Sequence, residues 1–212
     1  MLRVNNKLIR INGGLVRYIE PPHDIWVDLG STQYDGLTGG NIFALTGMPS
    51  STPLNYIAFT MDAMYDSGSM AADIYFNKSD VHEDCLWHCR AHMWLSYIGF
   101  VGITGAVTGW TTEDGITIES QNRDSVEYKM SPSWSRDSIW HKIKIVFDRT
   151  DYKGYFYLDG TLLGYVTMNT DMLNCTHIEL LKEQSSGTNS HVKNVKVAGF
   201  YNLNDAKNWV GN

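Results

Sequence analysis

The chain has 212 residues, 43% of them hydrophobic and 19% charged, with a formal net charge of −6. A chain of this length buries about 70% of the surface that its extended form exposes, enough for one core without disulfide or metal staples. This excludes a wholly disordered chain, and the acidic balance excludes a generally basic nucleic-acid binder.

From the start of the chain, Met1 leads into Leu2-Arg3-Val4-Asn5-Asn6-Lys7 without an apolar run. No secretory signal is therefore expected, and the protein is read as made in a cytoplasm with reduced thiols, leaving the cell by lysis as a virion component does. Cys85, Cys89 and Cys175 are an odd number and too few for a disulfide framework. Residues 8–11 and 15–19 are two short apolar-rich runs around Asn12-Gly13-Gly14, whose tolerance of positive φ predicts a tight hairpin. Pro21-Pro22 stiffens the exit. Residues 1–22 thus read as an arm, with Arg3, Lys7, Arg10 and Arg17 against Glu20, a net of +3 beside −9 for the rest. A basic arm on an acidic body suits docking to other virion proteins or to a neighbouring copy of the chain; the alternative is an ordinary edge hairpin folded onto its own sheet.

Residues 23–212 read as one body. Runs of β-branched and aromatic residues predict strands at 25–29, 42–45, 56–61, 71–77, 86–95, 97–104, 115–121, 125–130, 140–148, 154–158, 162–166, 177–182 and 192–201. No long stretch keeps a period of 3.6, so crossover helices are not expected. The pattern predicts an all-β fold of two antiparallel sheets packed face to face. Residues 204–209 predict a short terminal helix capped by Asn204 or Asp205. Residues 91–112 carry no Asp, Glu, Lys or Arg, but Gly99, Gly102, Gly105 and Gly109 fit strand bends and turns, so no membrane span is expected.

The clearest hairpin lies between residues 140 and 166. Ile143, Ile145 and Phe147 alternate with Lys142, Lys144 and Val146; Phe156 and Leu158 then alternate with Tyr155 and Tyr157 before a tight reversal at Asp159-Gly160. Trp140-His141-Lys142-Ile143-Lys144-Ile145-Val146-Phe147-Asp148, followed by Tyr155-Phe156-Tyr157-Leu158-Asp159-Gly160, resembles the central hairpin of concanavalin A-like and laminin-G-like lectin jelly rolls. Residues 192–202 resemble the closing strand of such domains and residues 25–29 the opening one. The resemblance implies a jelly-roll sandwich more firmly than a function. Asn6-Lys7-Leu8-Ile9-Arg10-Ile11-Asn12-Gly13 with Pro21-Pro22 is similar to the start of short proteins of tailed bacteriophages of gut bacteria, which implies a place in a virion.

Some jelly rolls of this kind are glycan hydrolases, and retaining hydrolysis needs two carboxyl groups about 5 Å apart. No Glu-x-Asp-x-Glu occurs on one strand; Glu83-Asp84 and Glu113-Asp114 are adjacent and would face opposite ways, and Glu119 stands alone. No catalytic residue is assigned and a non-enzymatic structural or adhesive protein is expected, with a carbohydrate-active enzyme or polysaccharide-binding module as the alternative. Cys85, His88, Cys89 and His92 would share one face of a helix and could hold zinc. In a strand the cysteines and histidines face opposite sides, so neither a metal nor another cofactor is expected. Asp62, Asp66 and Asp73, or Asp148 and Asp151, form no contiguous calcium loop. What remains is sugar recognition, in which aromatic planes take the C–H face of a pyranose and polar side chains take its hydroxyls. The expected site is one concave face presenting His88, Arg90, Trp94, Tyr155 and Tyr157, with surface glycans as ligands.

Overall fold

The computed structural model describes residues 6–11, 14–19, 23–35, 40–48, 55–67, 70–77, 90–95, 99–101, 107–110, 116–122, 125–131, 138–167, 174–184 and 189–211. The predicted hairpin of the arm forms: β1 (Asn6–Ile11) pairs β2 (Gly14–Ile19), with Ile11 opposite Gly14, so two residues connect the strands. This ribbon carries Lys7, Arg10 and Arg17 and, among the described residues, pairs with neither sheet of the body; Arg3 lies outside the described residues.

The body is the expected antiparallel jelly-roll sandwich. Its strands are β3 (His23–Asp28), β4 (Tyr34–Asp35), β5 (Gly40–Gly47), β6 (Tyr56–Ser67), β7 (Met70–Asn77), β8 (Arg90–Leu95), β9 (Gly99–Val101) and β10 (Val107–Trp110). They continue with β11 (Ile116–Asn122), β12 (Ser125–Ser131), β13 (His141–Asp148), β14 (Lys153–Leu158), β15 (Thr161–Thr167), β16 (His177–Gln184) and β17 (Asn189–Phe200). One sheet runs β12-β11-β8-β7-β16-β5; the other runs β15-β14-β13-β6-β17-β3, with β4 also paired to β17. The short β9 and β10 pair with each other. Residues 91–112 therefore hold strands, and no helix among the described residues is long and apolar enough to cross a membrane.

Alternation explains the core. Ile143, Ile145 and Phe147 of β13, Ile57, Phe59 and Met61 of β6, and Phe156 of β14 are all at most 1% exposed. They meet Ile74 and Phe76 of β7 and Ile178 and Leu180 of β16 from the opposite sheet in one cluster. The tight reversal is as predicted: Asp159 and Gly160 have φ of +48° and +81°, and Leu158 pairs Thr161. Before it, Asp148 holds the β13–β14 turn, its Oδ1 accepting from Thr150 N at 2.9 Å, Thr150 Oγ1 at 2.6 Å and Asp151 N at 3.0 Å.

The terminal helix α1 (Leu203–Asn208) forms, but its cap is Asn202 rather than Asn204 or Asp205. Asn202 Oδ1 accepts from Asn204 N at 2.7 Å and Asp205 N at 3.4 Å, which only the residue before the first turn can do. The helix lies on the outer face of the seven-stranded sheet. There Trp209, Ala206, Phe200, Ala198, Ala58, Val146 and Tyr157 form a second cluster. The polar side of β13 is consequently covered at Lys144 and Val146. Val146 is 0% and Lys144 7% exposed, and Lys144 Nζ donates to the carbonyls of Lys207 and, at 3.3 Å, of Trp209.

Burial lowers the pKa of Lys144 from 10.5 to about 8. Below pH 8 the amine is protonated in both folded and unfolded chains, and the cost of burying its charge does not change with pH. Between pH 8 and 10.5 the unfolded chain holds more of the proton, so stability rises with pH, by at most about 3 kcal/mol. Urea unfolding at pH 7.5 and pH 10 is expected to show this rise in the wild type and a smaller one in Lys144→Met; equal slopes for the two proteins would contradict it.

Candidate functional site

The outer face of the six-stranded sheet follows from register. Ile74 and Phe76 of β7 are buried inside, so alternation places Asp73 and Tyr75 on the opposite face. Glu179, between the inward Ile178 and Leu180 of β16, shares that face and is 1% exposed. Antiparallel partners fall in rows across the strands. One row is Glu179–Tyr75–Arg90–Gln121–Val126, over β16, β7, β8, β11 and β12. The next is Leu181–Asp73–His92–Glu119–Tyr128, and beyond it Ala71, Trp94, Thr117 and Met130 align. Strands lie about 4.8 Å apart and rows about 7 Å, so these residues cover a patch wider than a single sugar ring. By register, residues of acidic, basic, amide and aromatic type share one face of the sheet.

The predicted site residues divide. Arg90 and Trp94 lie on this face, four residues apart on β8; His88 lies outside the described residues. Tyr155 and Tyr157 do not join them. They belong to β14 of the other sheet, and two packed sheets share only their buried inner faces, so the expected single face is corrected. Tyr157 is 7% exposed with Lys144 Nζ 4.3 Å from its ring centroid. Tyr155 lies under Lys207 Nζ at 3.6 Å and beside the Tyr165 ring at 5.8 Å. Burial raises the pKa of both tyrosines, and their role is to seat α1.

The sequence reading passed over Asp73, Tyr75, His92, Glu119, Gln121 and Glu179 as members of one site. Their signal was alternation: Asp73 and Tyr75 between Ala72, Ile74 and Phe76, and Thr117, Glu119 and Gln121 after Ile116 and Ile118. Of the aspartates weighed for calcium, Asp62 is engaged by Lys142 Nζ at 2.9 Å and Asn194 Nδ2 at 2.6 Å, and Asp148 by its turn. Among residues with described side chains, no three His, Cys, Asp or Glu group closely enough to hold a metal ion. His92 lies in a strand, the reading preferred from the sequence over the helical zinc set; Cys85, His88 and Cys89 lie outside the described residues.

No family model matches the chain, and no curated protein sequence does. Solved structures do match. An endo-β-1,3-glucanase from Pyrococcus furiosus is 13% identical with a TM-score of 0.46, over 74% of this chain and 63% of that one. The leech intramolecular trans-sialidase, complexed with 2,7-anhydro-Neu5Ac, is 11% identical with a TM-score of 0.50, over 88% of this chain and 28% of that one. The CBM40 of the Ruminococcus gnavus IT-sialidase, bound to α2,3-sialyllactose, is 13% identical with a TM-score of 0.41, over 82% and 94%. The chain thus spans less than two thirds of the first two. At these identities the likeness concerns the fold, which is the lectin-like jelly roll expected. The likeness of residues 1–22 to phage proteins gains no support from these matches. The expectation of a non-enzymatic protein is corrected: a glucanase shares the fold, and the exclusion had required two carboxylates on one strand. The sheet instead collects Asp73 and Glu119 from separate strands onto one face.

Proposed function

We propose that the protein recognises carbohydrate through the outer face of its six-stranded sheet. The observation that carries this reading is the pair of rows in which Tyr75 and Arg90 stand next to Asp73, His92 and Glu119, with Trp94 one step beyond. Aromatic rings beside hydrogen-bonding donors and acceptors of both signs are what a polyhydroxylated ring with one apolar face requires. A glucanase and a sialyllactose-bound module among the matched folds are consistent with the ligand class.

The test is calorimetric titration of the whole chain with β-1,3-glucan oligosaccharides and sialyllactose. Binding is expected to weaken at least about tenfold in Trp94→Ala. Tyr165→Ala, on the other sheet and 42% exposed, is expected to bind like the wild type. No binding to any glycan, or full binding in Trp94→Ala, would remove the site. The same incubations are assayed for new reducing ends, since the ground on which catalysis was excluded has gone.

A further inference from the structure

The helix α1 covers one part of the outer face of the seven-stranded sheet, and a second part carries a group of polar side chains. Val192 of β17, Met61 and Ala63 of β6 and Ile143 of β13 are buried in the core, so alternation turns His191, Lys193, Asp62 and Lys142 outward. Lys193 pairs with Asp62, and Asp62 with Lys142, in one row across the three strands. Beyond that row Asp35 of β4 pairs with His191. Trp140, just before β13, belongs to neither buried apolar cluster. Its indole instead has Lys193 Nζ 3.8 Å from the ring centroid and the His191 ring 6.4 Å away. We propose that this corner of the sheet, around Trp140, Lys193 and His191, binds the carboxylate of an acidic sugar. The site is separate from the face assigned above, and the proposal does not depend on that reading.

Charge defines the ligand. Both oxygens of Asp62 are engaged, Oδ1 by Lys142 Nζ at 2.9 Å and Oδ2 by Asn194 Nδ2 at 2.6 Å. Asp35 Oδ1 lies 2.6 Å from His191 Nδ1. Lys193 is left with a ring as its close neighbour, and among the described residues no carboxylate forms an ion pair with it. An ammonium resting on an indole gains cation–π attraction but keeps its charge for an anion. A single carboxylate matches that one charge, and a charge-assisted hydrogen bond to it is the strong kind. A phosphate dianion would instead meet the repulsion of Asp62 and Asp35 close by.

Groups suited to a sugar ring stand beside that charge. With Nδ1 on Asp35, the ring nitrogen of His191 left for a ligand is Nε2. Asn194 sits in a bulge of β17, at φ +53°, and gives its amide nitrogen to Asp62. Bulges re-aim side chains at sites, and the amide oxygen of this one remains as an acceptor for a hydroxyl. Trp140 is only partly buried, and the indole surface not taken by Lys193 offers apolar contact to the C–H groups of a pyranose. Gly211 packs on Thr60, two residues along β6 from Asp62, so the end of the terminal segment borders the site on that side.

The experiment titrates the full-length protein with an oligogalacturonate by calorimetry at low salt. The neutral galactose oligosaccharide of the same length and acetate serve as comparators. A saturable site for the acidic oligosaccharide is expected, at least about tenfold tighter than for either comparator. Lys193→Met and Trp140→Ala are each expected to weaken it at least about tenfold. Lys153→Met removes the same charge from the same sheet, at a lysine already paired with Asp151, and is expected to bind like the wild type. The proposal is overturned by no saturable binding, by either comparator binding as tightly, or by equal losses in Lys193→Met and Lys153→Met. Binding that Trp94→Ala loses and Lys193→Met keeps would belong to the six-stranded sheet and overturns it too. Should a variant fail to fold, the wild type is treated with the oligosaccharide and a water-soluble carbodiimide. This reagent joins a bound carboxylate to a nearby lysine amine as an amide and is itself converted to a urea. A sugar-bearing peptide at Lys193 supports the site, and labelling that spares Lys193 or spreads evenly over the lysines rejects it.

Discussion

Phe147→Ala is expected to lower the stability of the fold by about 3–5 kcal/mol. Phe147 is 0% exposed, and its ring meets Phe76 of the opposite sheet edge to face, with centroids 4.7 Å apart. Its register partners are Ile57 on β6 and Gly154 on β14. Gly154 has no side chain with which to fill the space left by the ring. Neighbouring strands are pinned by their ladders and cannot collapse into the cavity, so the loss takes both the transfer free energy of the ring and a cavity cost. Urea unfolding at neutral pH measures it. Tyr165→Ala, on the surface of the same sheet, is the comparison and is expected to cost about 1 kcal/mol or less. A loss below about 1 kcal/mol for Phe147→Ala would mean that the two sheets are not closely packed at this point.

The second large effect is expected at the other end of the chain. Trp209 is 1% exposed, lies 5.6 Å from the Phe200 ring centroid to centroid, and closes the cluster of Ala58, Val146, Tyr157 and Ala198. The helix it follows has six residues, too few to be stable without tertiary contacts. Besides this indole, the segment is held by the bonds from Lys144 to two of its carbonyls and by Lys207 over Tyr155. Gly211, with φ of +79°, packs so closely that a Cβ there would stand 2.6 Å from Thr60 Oγ1. Trp209→Ala is therefore expected to cost about 3–5 kcal/mol and to loosen residues 203–211 from the sheet. Limited proteolysis read by mass spectrometry should find early cuts within that stretch in the variant and none in the wild type. Equal resistance of the two proteins would show that Lys144 and Gly211 hold the segment without the indole.

Much of the fold was legible because its signals are local. Alternation with a two-residue turn predicts β13, β14 and β15 and their inward residues, since both strands of a hairpin lie within a few residues of the turn that sets their register. The arm and the terminal helix were legible for the same reason. The two-residue β4 and four-residue β10 were not, being too short to show a period. The cap is Asn202 because the helix starts one residue earlier than expected, at Leu203, and three of the four residues 202–205 carry polar side chains able to cap.

By itself the sequence determined that each strand has one apolar side, that the strands reverse at specific turns, and that two sheets enclose a core such as Ile143, Ile145 and Phe147. Only the tertiary structure decided what lies against each polar side. Tyr155 and Tyr157 are polar-side residues of their strand, and so is Trp94, yet they stand on different sheets. Lys144 has the pattern of a solvated residue and is covered by a helix about 60 positions later in the chain. Glu119 is solitary along its own strand, and two non-local pairings align it with His92 and Asp73. The physical reason is common to all three. Period-two alternation distinguishes a strand's two faces, while neighbours across the sheet are chosen by the free energy of closing loops and burying the whole core, a quantity that no short window of residues contains.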